Sequence, residues 1–376
     1  MIAAEVAFWI AVSLLAYTHV GYPLLLLALT RGGRGMAVPP LAGEPPRVTL
    51  IVAAHDEEEV IERWVSRALA LDYPRDRLEI VVACDGCTDD TASRARQAGA
   101  HRVLELERGG KVAALNAAVA EAGGEVLAFS DANALWEPDA LRLLVARLGE
   151  PGVGYVCGQV TFTAPAGTAN QEGLYWRYEM AVRGMESALG GITAGNGAIN
   201  AVRREAFIEL APERGQDISL PFELAKRGWR SIYEPRARAT EPMAATIEGE
   251  FRRKRRMMAG AWNTILRTRL LSPRGYSPMY ALEIYSHRFL RYATPIVHLA
   301  ALGTNLALVG SGAIYAVTLV LQLAFIAAAL LARVLPWRPL LLARYYAAVT
   351  ASSAVGLWDL LRHGVPRTWE SVEGTR

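Results

Sequence analysis

The chain is short of cysteine, of net charge and of internal repetition, and each shortage excludes something. Only three cysteines stand among 376 residues. Cys84 and Cys87 form one CxxC with no second pair and no histidine close by, so the spacing makes neither a zinc site nor a disulfide framework. A small residue at a strand end and another in the following turn account for the pair. Formal net charge is only +3, which gives no overall electrostatic case for a nucleic-acid partner. Repeats and low-complexity tails are absent, and so is the GxxxxGK(S/T) phosphate loop.

What the chain has in excess is apolar residues, 52% of the total with a mean hydropathy of +0.17. The excess sits at the two ends. The run from Val6 to Leu29 is almost uncharged, long enough to cross the roughly 30 Å hydrocarbon core as a helix. It has no basic leading region and no evident small-residue cleavage site, so it reads as an anchor and not as a signal peptide. A buried core helix is the alternative. Arg31 and Arg34 follow directly, and the positive-inside rule then places the next domain in the cytoplasm. Further apolar runs extend from Phe289 to near Leu361, with spans expected near 292–310 and 313–333. Segment 340–361 carries Arg344 and Asp359 and reads either as a crossing or as a partly interfacial helix.

Residues 31–46, RGGRGMAVPPLAGEPP, lack periodicity and read as a linker. The pattern then becomes regular. VTLIVAAH (48–55), LEIVVACD (78–85), HRVLELE (101–107) and EVLAFSD (125–131) are strand-like, and helical segments open after each of the first three. Strands without an exposed polar face, alternating with helices, predict a mostly parallel sheet covered on both sides. Ligands of such sheets bind beyond the carboxyl ends of the strands. Asp56 and Glu57 follow the first strand, Asp85 ends the second and Asp131 ends the fourth. Any one could cap a helix; three on one edge predict a site for hydroxyls, an imide or a metal.

The strings VTLIVAAHDEEEVIERWVSRAL, IVVACDGCTDDT, GGKVAALNAAV, AFSDAN, GITAGNGAINAVRREAF and GQDISLPFELAKRGWRSIYEP occur in that order. Over about 47–265 they resemble the family 2 glycosyltransferases, whose fold is GT-A, a Rossmann-like α/β architecture. SHRFLRY and the terminal WESVEGTR are similar to the membrane-bound bacterial polysaccharide branch of that family. The resemblance implies an anchor at 1–30, the linker at 31–46 and the GT-A domain at 47–245. Basic amphipathic interfacial helices would follow at 246–290, C-terminal transmembrane helices at 291–362 and a tail at 363–376.

It also implies roles for residues. His55, Asp56, Glu57 and Asp85 would hold base and ribose. A carboxylate accepts from a uracil N3–H and from ribose hydroxyls, which favours a UDP-sugar. Lys111 follows two glycines and opens a helix, where a basic side chain suits a diphosphate. Asp131 and Asn133 occupy the family's metal-binding pair, where Mg²⁺ or Mn²⁺ would bridge to the donor diphosphate. The family usually has a second acid there, and the amide of Asn133 contributes an oxygen without charge. Asp217 stands at the place of the catalytic base, with Gln216 in place of the preceding acid; a helix N-cap is the alternative. Asn196, Gln216, Arg253 and Arg256 fall on the acceptor and diphosphate side, with Gly195 and Gly197 permitting close approach.

The basic run Arg252 to Arg256 ends in Met257, where processive synthases of the family carry a tryptophan. A basic helix lying on anionic lipid is its alternative. The expected activity is inverting transfer from a nucleotide-diphosphate sugar to a lipid-linked or growing glycan acceptor at the cytoplasmic face of the cell membrane. A processive polysaccharide synthase and a silent nucleotide-sugar-binding assembly subunit stay open as alternatives.

Overall fold

The computed structural model of the chain describes residues 1–31, 43–163, 171–242 and 247–365. Most of the expected linker and the terminal WESVEGTR lie outside the described residues. The N-terminal apolar run folds as one rod: α1 (Ile2–Ala16), a π-helical turn (Tyr17–Gly21) and α2 (Tyr22–Thr30). The end of the linker is tied to the domain, since Arg77 donates to Pro45 O at 3.0 Å and Tyr73 Oη to Pro46 O at 2.6 Å.

Strand and helix then alternate: β1 (Val48–Ala54), α3 (Ile61–Leu69), β2 (Leu78–Asp85), α4 (Thr91–Gln97), β3 (Arg102–Leu106), α5 (Lys111–Glu121) and β4 (Val126–Ser130). All seven β1 residues are buried because both sheet faces are covered. Val48, Leu50, Val52 and Ala54 face one layer, where Ile61, Trp64, Val65 and Ala68 recur at one-turn spacing along α3. Ile51 and Ala53 face the other, against Ala114, Leu115, Ala118 and Val119 of α5. β3 departs from the expected pattern: it is the edge strand, and Glu105 is exposed.

The second half continues with β5 (Leu135–Trp136), α6 (Ala140–Leu148), β6 (Val153–Thr163), α7 (Gln171–Leu189), β7 (Asn200–Arg203), α8 (Gln216–Lys226) and β8 (Arg230–Pro242). Strand order is β3-β2-β1-β4-β7-β6-β8-β5. The first four strands are mutually parallel. β7 runs antiparallel to both β4 and β6, and β5 antiparallel to β8, so the sheet is mixed.

Beyond the sheet come α9 (Ile247–Arg267), α10 (Pro278–Glu283), a π-helical segment (Ile284–Phe289), α11 (Leu290–Leu308), α12 (Ala313–Leu331) and α13 (Arg338–His363). Three helices among the described residues are long and apolar enough to cross a membrane: 2–30, 313–331 and 338–363. α11, expected as a span, is not among them. Arg291, His298 and Asn305 make it less apolar, and it packs along α1. The segment left open at 340–361 is part of one continuous helix. Its charges are matched by protein: Arg344 pairs with Glu248, and Arg255 grips Asp359 through two bonds of 2.5 and 2.8 Å. The basic helix α9 therefore lies against α13, with Trp262 Nε1 donating to Ser353 O at 3.0 Å.

Gly356 permits this crossing, since a Cβ there would stand 2.6 Å from Met258 Cβ and 3.0 Å from Ala259 N and Arg255 O. At the junction of the sheet layers and the apolar helices, the fully buried Glu186 of α7 is a hub. It accepts from Tyr22 Oη at 2.6 Å and Thr193 Oγ1 at 3.2 Å, and His287 Nδ1 lies 2.7 Å away.

Two outcomes are expected. Gly356→Val forces α9 and α13 apart at a cost of about 1–3 kcal/mol, read as a lower thermal midpoint of the detergent-solubilised protein. Glu283 is fully buried, and burial together with Glu186 pushes its pKa from 4.5 up to about 10. The folded chain keeps a proton that the unfolded chain releases, so stability falls as pH rises between those two values. Glu283→Gln should flatten that slope in melts across the range; an unchanged slope would assign the pH dependence elsewhere.

Candidate active site

The C-terminal ends of β2, β1 and β4 lie side by side, which brings Asp85, Asp56 and Asp131 to one edge of the sheet. A pocket of about 520 Å³ opens beside this edge. Asp131 and Asn133, in the turn after β4, line it together with Glu57, Lys111, Asn196, Gln216, Asp217, Arg253 and Arg256. His55, Asp56 and Asp85 stand next to the pocket without lining it.

Lys111 is the first residue of α5 and is ion-paired with Asp131. Burial works to lower its pKa, but Asp131, Asp217 and Glu241 together raise it above the ordinary lysine value. Asp217 is also raised, by burial and by Asp131, with Lys111 and Arg183 opposing. The N-cap of α8 is Gly215, so the capping alternative for Asp217 does not hold. Asp217 sits instead in the first turn of α8, its backbone O accepting from Gly195 N at 2.8 Å.

The glycines around Asn196 are needed for space. A Cβ at Gly197 would lie 2.8 Å from Lys111 Nζ and 3.4 Å from both Asp131 carboxylate oxygens, and one at Gly195 would collide with Tyr155 Oη. The Asn196 amide donates to Gly158 O and accepts from Ile199 N, both at 2.9 Å. That side chain braces its loop.

The nucleoside-side residues knit two turns together. His55 Nδ1 is 2.8 Å from Asp85 O, and Asp56, at a left-handed φ of 50°, accepts from Thr88 N at 2.7 Å. Glu57 N donates to Thr91 Oγ1 at 2.8 Å. The Asp85 carboxylate accepts from Gly109 N at 2.7 Å and Gly110 N at 3.0 Å. It thereby fixes the loop that launches Lys111. Asp56, Cys87 and Asp89 bring ligand-type atoms within 4.8 Å of one another in this turn, a cluster separate from Asp131.

Sequence reasoning missed Glu241, at the end of β8. Its pKa is pushed up to about 8 by burial and by Asp131. Only the β5–β8 register, Leu135 opposite Thr240, places it near Asp131, and no local motif marks it. Arg183 and Arg288, buried residues that also line the pocket, were missed for the same reason.

The oxygens of Asp131 and Asn133 suit a hard divalent cation. The crowding of Asp131, Asp217 and Glu241 is what such a cation relieves, so the residues present fit Mg²⁺ or Mn²⁺. On the far wall Arg253 lies 5.8 Å from the ring centre of Phe162. Met257 also lines the pocket.

The geometry can be set beside known proteins. A mannosyltransferase from Pyrobaculum calidifontis, solved in complex with GDP-Man and Mn²⁺, superposes with a TM-score of 0.72 at 26% identity, covering 95% of this chain and 99% of that one. The GT-A fold expected from the motifs is therefore the fold present, with candidate membrane helices on both sides. A beta-monoglucosyldiacylglycerol synthase of Synechocystis is 33% identical over 162 residues, 39% of this chain and 33% of that protein. A poly-beta-1,6-N-acetyl-D-glucosamine synthase of Staphylococcus aureus is 24% identical over 231 residues, 58% of this chain and 56% of that protein. The matches thus span a third to just over half the length of these relatives. Residues 45–260, more than half of the chain, match the model described as glycosyltransferase like family 2, and the chain is a glycosyltransferase that belongs to that family.

Proposed function

We propose that the chain transfers a sugar, with inversion, from a nucleotide-diphosphate sugar to an acceptor hydroxyl at the membrane face. The observation that carries this reading is Asp217, set in the same pocket as Lys111, Asp131 and Asn133. Its raised pKa makes it a better proton acceptor than an ordinary carboxylate. It removes the acceptor proton as the hydroxyl attacks the anomeric carbon from the face opposite the leaving nucleotide. A general base of this kind contributes about 10²–10⁴-fold.

Asp131 and Asn133 are the residues that would hold the divalent cation, which when bound supplies positive charge to the departing diphosphate. Lys111 adds a second cation at a helix N-terminus. Asp85 contributes by position: it holds the Gly109–Gly110 turn and hence Lys111. Asp85 is fully buried and does not line the pocket, so the uridine preference rests instead on the neighbouring carboxylates of Asp56 and Glu57. The Pyrobaculum enzyme was solved with GDP-Man, so UDP- and GDP-sugars both belong in a donor panel.

A membrane-held acceptor, lipid-linked or glycan, is supported by the relatives that make a glycolipid and a polysaccharide. Arg31, directly after the first apolar helix, supports a cytoplasmic catalytic side. Met257 in place of the tryptophan favours single additions over chain synthesis.

Asp217→Asn should lower transfer by about 10²–10⁴-fold while Mn²⁺-dependent nucleotide binding, measured by calorimetry, persists; unchanged turnover would remove Asp217 from the base role. Asn133→Asp should tighten Mn²⁺ binding and Asn133→Ala weaken it, as read by Mn²⁺ paramagnetic resonance titration. If both variants bind like the parent, the amide only shapes its turn.

A further inference from the structure

The pocket that holds Asp217 is also lined by Arg183 of α7, by Arg288 and by Arg291 in the first turn of α11. Arg183 and Arg288 are only 3% and 6% exposed. Arg183 Nη2 donates to Gly195 O at 3.3 Å, and its guanidinium lies about 6 Å from the rings of Tyr233 and Trp176. Its Nε is buried without a hydrogen-bond partner among the described residues. Arg288 Nε donates to Thr193 Oγ1 at 2.8 Å and Nη1 reaches Glu179 at 3.5 Å, while Nη2 is buried and likewise unpartnered.

Glu179 does not complete either arginine. Its carboxylate is shared among Arg291 at 2.9 Å, His287 at 3.2 Å and Arg288 at 3.5 Å. Arg291 is further held over Tyr175 and Tyr178, with its guanidinium 5.0 and 5.5 Å from the ring centres. A buried guanidinium N–H without an acceptor is costly. Two such groups in the wall of one pocket are completed by an oxyanion with several acceptor oxygens, which a guanidinium fork is shaped to receive.

We infer that Arg183 and Arg288 bind a phosphate-ester group carried by the acceptor. The inference rests on the glycosyl-transfer reading of this pocket. The donor diphosphate is assigned to Lys111 and the Asp131–Asn133 edge, and Asp217 is acted on both by that edge, through Lys111 and Asp131, and by Arg183. With the donor diphosphate placed at Lys111, the arginines are left for the acceptor. Arg288 precedes α11 by two residues, at the junction where α2 is tied to the catalytic layer through Tyr22 and Glu186. A phosphate at this level is that of a lipid whose chain lies along the apolar helices while its head enters the pocket.

The test uses the full chain in detergent with three probes: farnesyl phosphate, farnesol and inorganic phosphate. Binding is followed by intrinsic tryptophan fluorescence, since Trp176 lies close to Arg183. Farnesyl phosphate should bind at least tenfold more tightly than farnesol, and Arg288→Gln or Arg183→Gln should each weaken it by tenfold or more. Mn²⁺-dependent binding of UDP or GDP in the same variants shows that they are folded and reports the donor reading separately. Inorganic phosphate competing as strongly as farnesyl phosphate would overturn the lipid source and leave a soluble phosphate ester as the ligand. Equal affinity for farnesyl phosphate and farnesol, unchanged in both variants, would overturn the inference itself.

Discussion

One lysine facing three acids is the constraint around which the pocket is built. Asp131, Asp217 and Glu241 come from the β4–β5 turn, the first turn of α8 and the end of β8, and all act on Lys111. In a half-enclosed site such a group is stable only if each charge is held where its partner is. The surrounding structure does this holding. Asp85 fixes the two glycines ahead of Lys111, and Gly197 leaves room for the ammonium. The short β5 strand ties the end of β8 to the turn bearing Asp131. On the proposed reading, a donor carrying a diphosphate and a cation would enter a site whose charges are already arranged to receive both.

The parallel half of the sheet was legible because its code is local. Strands buried on both faces read as uninterrupted apolar runs, and β2, from Leu78 to Asp85, follows the apolar run residue for residue. The strand-end acids could be placed on one edge without coordinates for the same reason. The antiparallel half carries no such code. Glu241 reaches Asp131 through a register between strands about a hundred residues apart in the chain. Arg183 lies in α7, which no motif distinguishes, and its contacts, Gly195, Tyr233 and Trp176, come from separate elements. Asn196 and Asp85 were found by motif, but their hydrogen-bond partners were not readable, and the partners decide whether a polar side chain faces a ligand or a loop.

Helix α13 shows the same limit from the other side. Arg344 and Asp359 look hostile to a membrane-crossing reading as isolated residues. In the structure both are matched by α9, across 96 and 104 residues of sequence. Hydropathy counts a charge without its partner, and the partner changes the cost. The opposite holds for α11, where Arg291, His298 and Asn305 lower the apolarity of a helix that is nonetheless packed among its neighbours.

The junction also bears on how far the chain can be divided. The sheet with its covering helices ends near residue 242, and by size it resembles a self-contained catalytic unit. Yet Arg253, Arg256, Met258, Arg288, Arg291 and Tyr292 in the pocket wall all lie beyond it. A chain cut at the end of the sheet would keep the nucleotide-side edge and lose the opposite wall, including part of the surface next to the proposed base. Pocket and candidate anchor thus meet through one helix: α9, which supplies much of the opposite wall, packs along α13, one of the three helices long and apolar enough to cross a membrane.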